Sequence, residues 1–257
     1  MKVFLTGASS GIGEELARLY AARGATLGLV ARRGDFLSRL KASLSTPVET
    51  YACDVRDATA MRTAGAEFTA RHGTPDLVIA NAGVSYGNIT MSEKDVEVFR
   101  EILEINVIGM VNTFHPFAAA MRSRGSGKLA GIASVAGFRG LPGATAYSAS
   151  KAAAISYLEG LRVEMRPKGV SVVTICPGFI ATPMTQKNPY PMPFLLEAND
   201  AARRIVRVLD SSKSFAVIPW QMAIVGRLLK LVPNSIFDRM MAGRGHKPRK
   251  NDLPPAT

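Results

Sequence analysis

The sequence is poor in cysteine and contains no long apolar run. Its two cysteines, Cys53 and Cys176, lie about 120 positions apart, a spacing that suits neither a metal site nor a disulfide framework. We interpret both as buried core thiols. No segment approaches the ~20 apolar residues of a membrane-spanning helix, and the N-terminus lacks the hydrophobic region of a secretory signal. These absences predict a cytoplasmic protein without a metal.

Acidic residues are scarce near the C-terminus. Residues 203–250 contain 11 Lys or Arg against two acids, Asp210 and Asp238, so this segment supplies nine of the twelve net positive charges. The basic character is therefore local, and it suits contact with an anionic membrane surface. Nothing that resembles a nucleic-acid recognition module accompanies the charge, and we expect no nucleic acid partner.

Short apolar runs alternate with helical patterns along the chain, which predicts a parallel sheet with helices on both faces. The predicted strands are Val3–Leu5, Thr26–Ala31, Val48–Cys53, Leu77–Ala80, Lys128–Ala133, Val170–Cys176 and Phe215–Ile218. The predicted helices include Glu14–Arg23, Ala58–His72, Val96–Met121, Tyr147–Arg166 and Asp200–Leu209. We expect one doubly wound, seven-stranded α/β domain over residues 1–245, with 193–245 as a substrate and association region. Residues 246–257 lack apolar periodicity and predict a frayed or disordered tail.

A glycine-rich loop follows the first strand and opens the first helix. Its candidate cofactor-binding residues are Gly7, Ser9, Ser10, Gly11, Ile12 and Gly13. Glycines in this position permit a tight turn and a close approach of the backbone to a pyrophosphate, while the helix N-terminus offers free N–H groups. The context favours a Rossmann-type dinucleotide site over an ordinary turn.

The end of the second strand bears on the choice of dinucleotide. An NAD site usually places an acidic residue there, but this chain has Arg32 and Arg33, with no acid before Asp35. Guanidinium groups suit a 2′-phosphate, so the pair predicts NADP(H). The alternative is a solvated basic turn.

Tyr147 and Lys151 lie four residues apart on one face of a predicted helix. A phenol with the ordinary pKa of about 10 exchanges protons poorly near neutral pH, and a nearby ammonium would lower that pKa. Taken alone, the pair could equally be a simple surface contact.

In combination, these motifs resemble the short-chain dehydrogenase/reductase family over roughly residues 1–190. They comprise the glycine loop, Asn81-Ala82-Gly83, Ser134, the Tyr147/Lys151 pair and Pro177-Gly178, with Asn106 as the fourth catalytic position. The resemblance implies hydride transfer between a nicotinamide and a carbonyl or alcohol carbon, with Tyr147 as proton donor and acceptor. It further implies that Ser134 fixes the substrate oxygen, that Lys151 binds the nicotinamide ribose, and that Asn106 holds a water on the proton path.

The same resemblance implies further cofactor contacts. Asp54 and Val55 match the adenine-binding pair, although Asp54 could also be a plain turn residue. The remaining candidates are Asn81, Ala82, Gly83, Pro177, Gly178, Ile180 and Thr182.

The C-terminal region departs from the 3-oxoacyl-carrier-protein reductases of this family, although we keep that activity as an alternative. Trp220, Ile224, Leu228 and Leu231 form an apolar stripe, with Arg227 and Lys230 predicted on the opposite side. The stripe packs on the chain's own core or on a second subunit of a dimer or tetramer, or it rests on an anionic membrane. We expect an apolar or lipid-like carbonyl substrate, and the competing hypothesis from another class is a non-catalytic NADP(H)-binding regulator.

Overall fold

The computed structural model describes residues 1–243 and 247–250, and its centre is a seven-stranded parallel sheet. The strands are β1 Lys2–Thr6, β2 Thr26–Ala31, β3 Val48–Ala52, β4 Leu77–Ala80, β5 Gly127–Ile132, β6 Val170–Pro177, β7 Ile180–Ala181, β8 Leu196–Glu197 and β9 Phe215–Ile218. The large sheet has the order β3-β2-β1-β4-β5-β6-β9, and β7 pairs separately with β8. The seven predicted strands are confirmed to within one residue at each end.

Helices cover both faces of this sheet. They are α1 Gly11–Ala21, α2 Gly34–Ala42, α3 Ala58–His72, α4 Lys94–Leu103, α5 Gly109–Arg124, α6 Thr145–Met165, α7 Ala198–Asp210, α8 Gln221–Leu231 and α9 Asn234–Met241. Helices α1, α2 and α7 pack on one face, and α3, α5 and α6 on the other. The predicted doubly wound α/β architecture is therefore confirmed.

The strand order reverses between β1 and β4, and this reversal positions the site. The chain builds outward from β1 to β3, then returns to add β4 on the other side of β1. Loops that leave the carboxyl ends of β1 and β4 therefore diverge and open a crevice between them, which is where doubly wound folds bind ligands.

The prediction of one continuous helix over Val96–Met121 is wrong, because the helix is interrupted in its middle. A π-helical segment, Glu104–Ile108, separates α4 from α5. Asn106 lies in this segment, and its side chain is buried and bonded to the backbone of Val84. Widened turns of this kind often occur at functional sites, and here the turn directs a polar side chain into the crevice wall.

The apolar stripe on α8 does not pack on the chain's own core, which corrects that part of the prediction. Trp220, Leu228 and Leu231 are 63%, 58% and 80% exposed, whereas Met222 and Gly226 on the opposite side are buried. Arg227 and Lys230 do not lie opposite the stripe as predicted; they line an open cleft together with Phe138 and Phe215.

Arg139 fastens α8 and α9 to the body of the fold. Its guanidinium donates to the carbonyl oxygens of Leu229 and Val232 at the end of α8, and it lies 3.8 Å from the ring centroid of Phe237 in α9. A cation is favourable at a helix C-terminus because the last carbonyls have no helical partner. The contacts of Arg139 therefore set the orientation of α8 and of its exposed stripe.

Residues 247–250, which belong to the predicted tail, contact the body of the domain. Arg249 forms an ion pair with the buried Asp95 at 2.8 Å, and the backbone N–H of Gly87 donates to Pro248 O at 2.9 Å. The rest of that predicted tail, His246 and residues 251–257, lies outside the described residues.

Candidate active site

The glycine loop is held in a shape that side chains would block. Asn81 Nδ2 donates to the carbonyl oxygens of Thr6 and Gly7, both at 3.1 Å, and so ties the loop after β1 to the end of β4. Gly7 has φ +70°, and a Cβ on Gly13 would lie 2.1 Å from Gly7 O. The Ser10 side chain does not cap α1, which leaves the first-turn N–H groups directed toward a ligand. This cradle fits a pyrophosphate.

Gly13→Ala is expected to weaken dinucleotide binding at least about tenfold and to cost about 1–3 kcal/mol of stability, because the added methyl must displace the Gly7 backbone. Gly160→Ala is the matched control: Gly160 is also helical, and its Cβ would meet nothing within 4 Å. That control should stabilise the fold by up to about 1 kcal/mol without changing affinity. Thermal unfolding and fluorescence titration measure both, and equal affinities in the two variants would contradict this account of the loop.

Arg32 and Arg33 flank the outer end of the crevice. Arg33 Nη2 donates to Ser9 Oγ at 3.1 Å, and its guanidinium lies 4.1 Å from the ring centroid of Phe36. A guanidinium stacked on an aromatic ring is pre-organised for a phosphate.

Asp54 stands on the other side of this outer end. It accepts hydrogen bonds from the Arg56 backbone and guanidinium at 2.9 and 2.8 Å, so the turn role considered for Asp54 is present in addition to its place in the crevice. Burial alone would raise the pKa of Asp54, but its hydrogen bonds with Arg56 hold the pKa below the ordinary value.

Most of the predicted site residues line one continuous cleft of about 370 Å³. They are Gly7, Ser9, Ser10, Gly11, Ile12, Arg32, Arg33, Asp54, Val55, Asn81, Ala82, Gly83, Ser134, Tyr147, Lys151, Pro177, Gly178, Ile180 and Thr182. Gly13 and Asn106 lie behind its wall. Sequence reasoning missed other lining residues, including Cys53, Pro183 and Thr185, whose types carry no distinctive signal.

Tyr147, Ser134 and Lys151 meet at the inner end of this cleft. Tyr147 and Lys151 project from α6, with Lys151 Nζ 5.8 Å from the phenol ring centroid. Ser134 follows β5, and its Oγ accepts from the Ala136 N–H at 3.1 Å, which fixes the hydroxyl. Lys151 Nζ donates to Ile132 O at 2.8 Å. The predicted trio is therefore brought together by one helix and one strand end.

Burial of this trio shifts the pKa values of Tyr147 and Lys151. Burial raises the pKa of Tyr147, and a hydrogen bond with Ser134 acts in the opposite direction. Burial also lowers the pKa of Lys151 to about 8. The sequence predicted that Lys151 would lower the phenol pKa, whereas burial, the largest influence on Tyr147 here, raises it.

Asn106 lies behind the cleft wall and hydrogen-bonds with two of the elements that form the site. Its Oδ1 accepts from the Val84 N–H at 2.8 Å, and its Nδ2 donates to Val84 O at 3.0 Å and to Ser150 Oγ at 2.9 Å. The side chain therefore joins the loop after β4 to α6, which carries Tyr147.

Side chains able to transfer a proton, placed at the inner end of a phosphate cradle, define a dinucleotide-dependent enzyme of the doubly wound α/β class. Within that class the chain belongs to the short chain dehydrogenase family, whose profile matches residues 1–191. The protein is thus an oxidoreductase of a family that acts on CH–OH groups and uses a nicotinamide cofactor.

A protein of Myxococcus xanthus described as an uncharacterized oxidoreductase is 39% identical over 237 residues, which cover 91% of this chain and 93% of that protein.

Two solved structures share the fold. A short chain dehydrogenase from Burkholderia cenocepacia, in complex with NADP, is 24% identical with a TM-score of 0.81 over 95% of this chain and 98% of that one. A short chain dehydrogenase from Mycobacterium paratuberculosis, bound to NAD, is 24% identical with a TM-score of 0.74 over 84% and 95%.

Within residues 1–243 and 247–250, no helix is long and apolar enough to cross a membrane, and no three His, Cys, Asp or Glu cluster as a metal site.

Proposed function

We propose that the protein interconverts an alcohol with a ketone or aldehyde, using NADP(H), and that Tyr147 is the general acid and base. The observation that carries the proposal is that Tyr147, Ser134 and Lys151 line the same end of the dinucleotide cleft, with Lys151 Nζ 5.8 Å from the Tyr147 ring centroid. A substrate oxygen placed between these two hydroxyls can accept both hydrogen bonds.

Each residue has a distinct task in this reaction. The bound nicotinamide supplies hydride to the carbonyl carbon or takes it from the alcohol carbon. Tyr147 gives its proton to the carbonyl oxygen during reduction and takes one back during oxidation, while Ser134 orients that oxygen. Lys151 would hold the nicotinamide ribose and resupply protons, and Asn106 connects the loop after β4 to α6, which carries Tyr147.

NADP(H) is proposed over NAD(H) because the outer end of the cleft carries two guanidinium groups. The side chain of Arg33 is oriented by Ser9 and Phe36, and Arg32 lines the same end. A 2′-phosphate is a dianion near neutral pH, and it gains charge-assisted hydrogen bonds there that a 2′-hydroxyl does not.

The proposed substrate has an apolar portion. Met184 and Pro183 line the same cleft as the trio, and Tyr190 lies in edge contact with Phe179, with ring centroids 6.4 Å apart. Tyr190 is also close enough to Tyr147 to act on its pKa. The segment between β7 and β8 therefore brings apolar and aromatic groups to the substrate side of Tyr147.

A panel of ketones, aldehydes, steroids and acyl thioesters, followed by NADPH consumption, tests the proposal. We expect turnover of at least one apolar ketone or aldehyde. Turnover of thioesters alone would instead favour the 3-oxoacyl-carrier-protein reductase activity. NADPH binding without turnover of any compound would contradict catalysis and favour a regulator.

We propose that the exposed α8 stripe of Trp220, Ile224, Leu228 and Leu231 contacts a second copy of this chain in a homo-oligomer. Contiguous exposed apolar residues commonly mark such interfaces. The double variant Leu228→Lys, Leu231→Lys should raise the dissociation constant of the oligomer by about tenfold or more, because burying a charge at an interface is costly. Light scattering measures the mass. A monomeric wild type that sediments with anionic liposomes at low salt would favour the membrane instead.

A further inference from the structure

Residues Lys247–Lys250 lie against the loop that follows β4. The Gly87 N–H donates to Pro248 O at 2.9 Å, and a Cβ on Gly87 would lie 2.0 Å from Lys247 O. Arg249 makes a bidentate contact with Asp95, whose oxygens lie at 2.8 and 2.9 Å and whose side chain is 2% exposed. Backbone pairing and a buried ion pair therefore fix where Lys247 projects.

Lys247 projects toward the catalytic tyrosine. Its Nζ donates to Ser85 Oγ at 2.9 Å and lies 5.9 Å from the Tyr147 ring centroid, a distance close to that of Lys151. Among the described residues, neither Lys247 nor Ser85 lines the cofactor cleft. The two groups are therefore placed beside Tyr147 but outside the dinucleotide path.

The charge on Lys247 has no acidic partner in the part of the chain that the structure describes. Lys250 is paired with Glu101 and Arg249 with Asp95, but no carboxylate lies within ion-pair distance of Lys247 Nζ. Burial lowers the pKa of Lys247 to about 8. A desolvated ammonium with a single neutral partner is costly, and an incoming anion would relieve that cost.

We propose that Lys247 and Ser85 form a subsite for a carboxylate on the substrate, so that the enzyme acts on oxo acids and hydroxy acids. Lys247 uses one N–H on Ser85 and keeps two for a ligand, while the Ser85 hydroxyl keeps its own proton to donate. The two oxygens of a carboxylate can accept from both side chains. With the apolar groups near Met184 and Tyr190, the site selects an amphipathic acid whose carbonyl lies at Tyr147.

This inference rests on the proposed oxidoreductase function, and its first test uses turnover. Oxo acids with two to six carbons between carbonyl and carboxylate are each compared with their methyl ester, which keeps the carbonyl and removes the charge. In the wild type we expect kcat/KM to favour the best acid over its ester by about tenfold or more. Lys247→Met should abolish that preference while changing kcat/KM for the ester less than about twofold, since the ester makes no ion pair.

Lys94→Met is the matched control, because Lys94 is an exposed lysine of α4 that lies next to Asp95 in sequence. It removes the same charge from the same side of the molecule, and it should preserve the preference for acids. If Lys247→Met lowers kcat/KM equally for the acid and for its ester, the subsite is overturned, since Lys247 would then act on Tyr147 itself. An undiminished preference for acids in that variant would overturn it as well.

The second test does not need turnover, so it separates failure of the subsite from failure of the proposed function. Hexanoate and hexanamide are titrated calorimetrically into the protein loaded with NADP⁺. We expect wild-type protein to bind hexanoate at least about tenfold more tightly than Lys247→Met does, with little difference for hexanamide. Equal hexanoate affinity in the two proteins, or no binding to either, overturns the subsite whatever the turnover assays show.

Discussion

Replacement of Tyr147 by Phe is expected to lower kcat by about 10²- to 10⁴-fold, the range that a general acid contributes. The substitution removes the phenolic hydroxyl and keeps the ring that lines the cleft with Ser134. The dissociation constant for NADPH should change less than about twofold, because the glycine loop, Arg32 and Arg33, which are proposed to hold the phosphates, are untouched.

Tyr157→Phe is the matched control for this variant. Tyr157 is a second tyrosine of α6, and burial raises its pKa to about 12, but it packs on the core beneath the sheet instead of in the cleft. Removal of the Tyr157 hydroxyl should leave kcat unchanged. Steady-state rates and fluorescence titration of NADPH give both quantities, and activity above about a tenth of wild type in Tyr147→Phe would mean that another group supplies the proton.

Arg32→Asp is expected to lower the preference for NADPH over NADH by about 100-fold or more. A charge-assisted hydrogen bond contributes about 1.5–3 kcal/mol, each 1.4 kcal/mol is tenfold in affinity, and the new carboxylate also repels the 2′-phosphate. Binding of NADH should not weaken, since a carboxylate can accept from the 2′-hydroxyl.

The ratio of kcat/KM for NADPH and NADH measures this change. Arg62→Asp provides the control, because Arg62 is an exposed arginine of α3 outside the cleft and its replacement makes the same change in net charge. If the ratio is unchanged in Arg32→Asp, or falls equally in Arg62→Asp, the guanidinium does not recognise the phosphate.

The central sheet and the location of the crevice could be predicted from sequence because their signals are local. Runs such as Leu77–Ala80 are apolar throughout, as a strand covered on both faces requires. Gly13 follows β1 in a glycine-rich loop, and the structure shows that a Cβ there would collide with Gly7 O. The predicted loop, strand ends and α6 converge because all carboxyl ends of a parallel sheet lie at one edge.

What the sequence did not predict depends on contacts between distant residues. The π segment around Asn106 is set by its bonds to Val84, 22 positions away, and a 3.6-residue periodicity cannot reveal it. The direction of the α8 stripe is set by Arg139, and residues 247–250 are ordered by Asp95 and Gly87. The raised pKa of Tyr147 is likewise a consequence of burial, which the Tyr147/Lys151 spacing alone does not predict.

The most direct measurement of the central claim follows an isotope from cofactor to product. NADPH that carries deuterium at both C4 positions of the nicotinamide is incubated with the protein and the best ketone or aldehyde, and the alcohol is analysed by mass spectrometry. We predict one deuterium on the carbinol carbon for each NADPH oxidised, and at least about a hundredfold less labelled product with Tyr147→Phe. NADPH that binds but delivers no deuterium to any carbonyl, or equal labelling by Tyr147→Phe, would contradict the assignment.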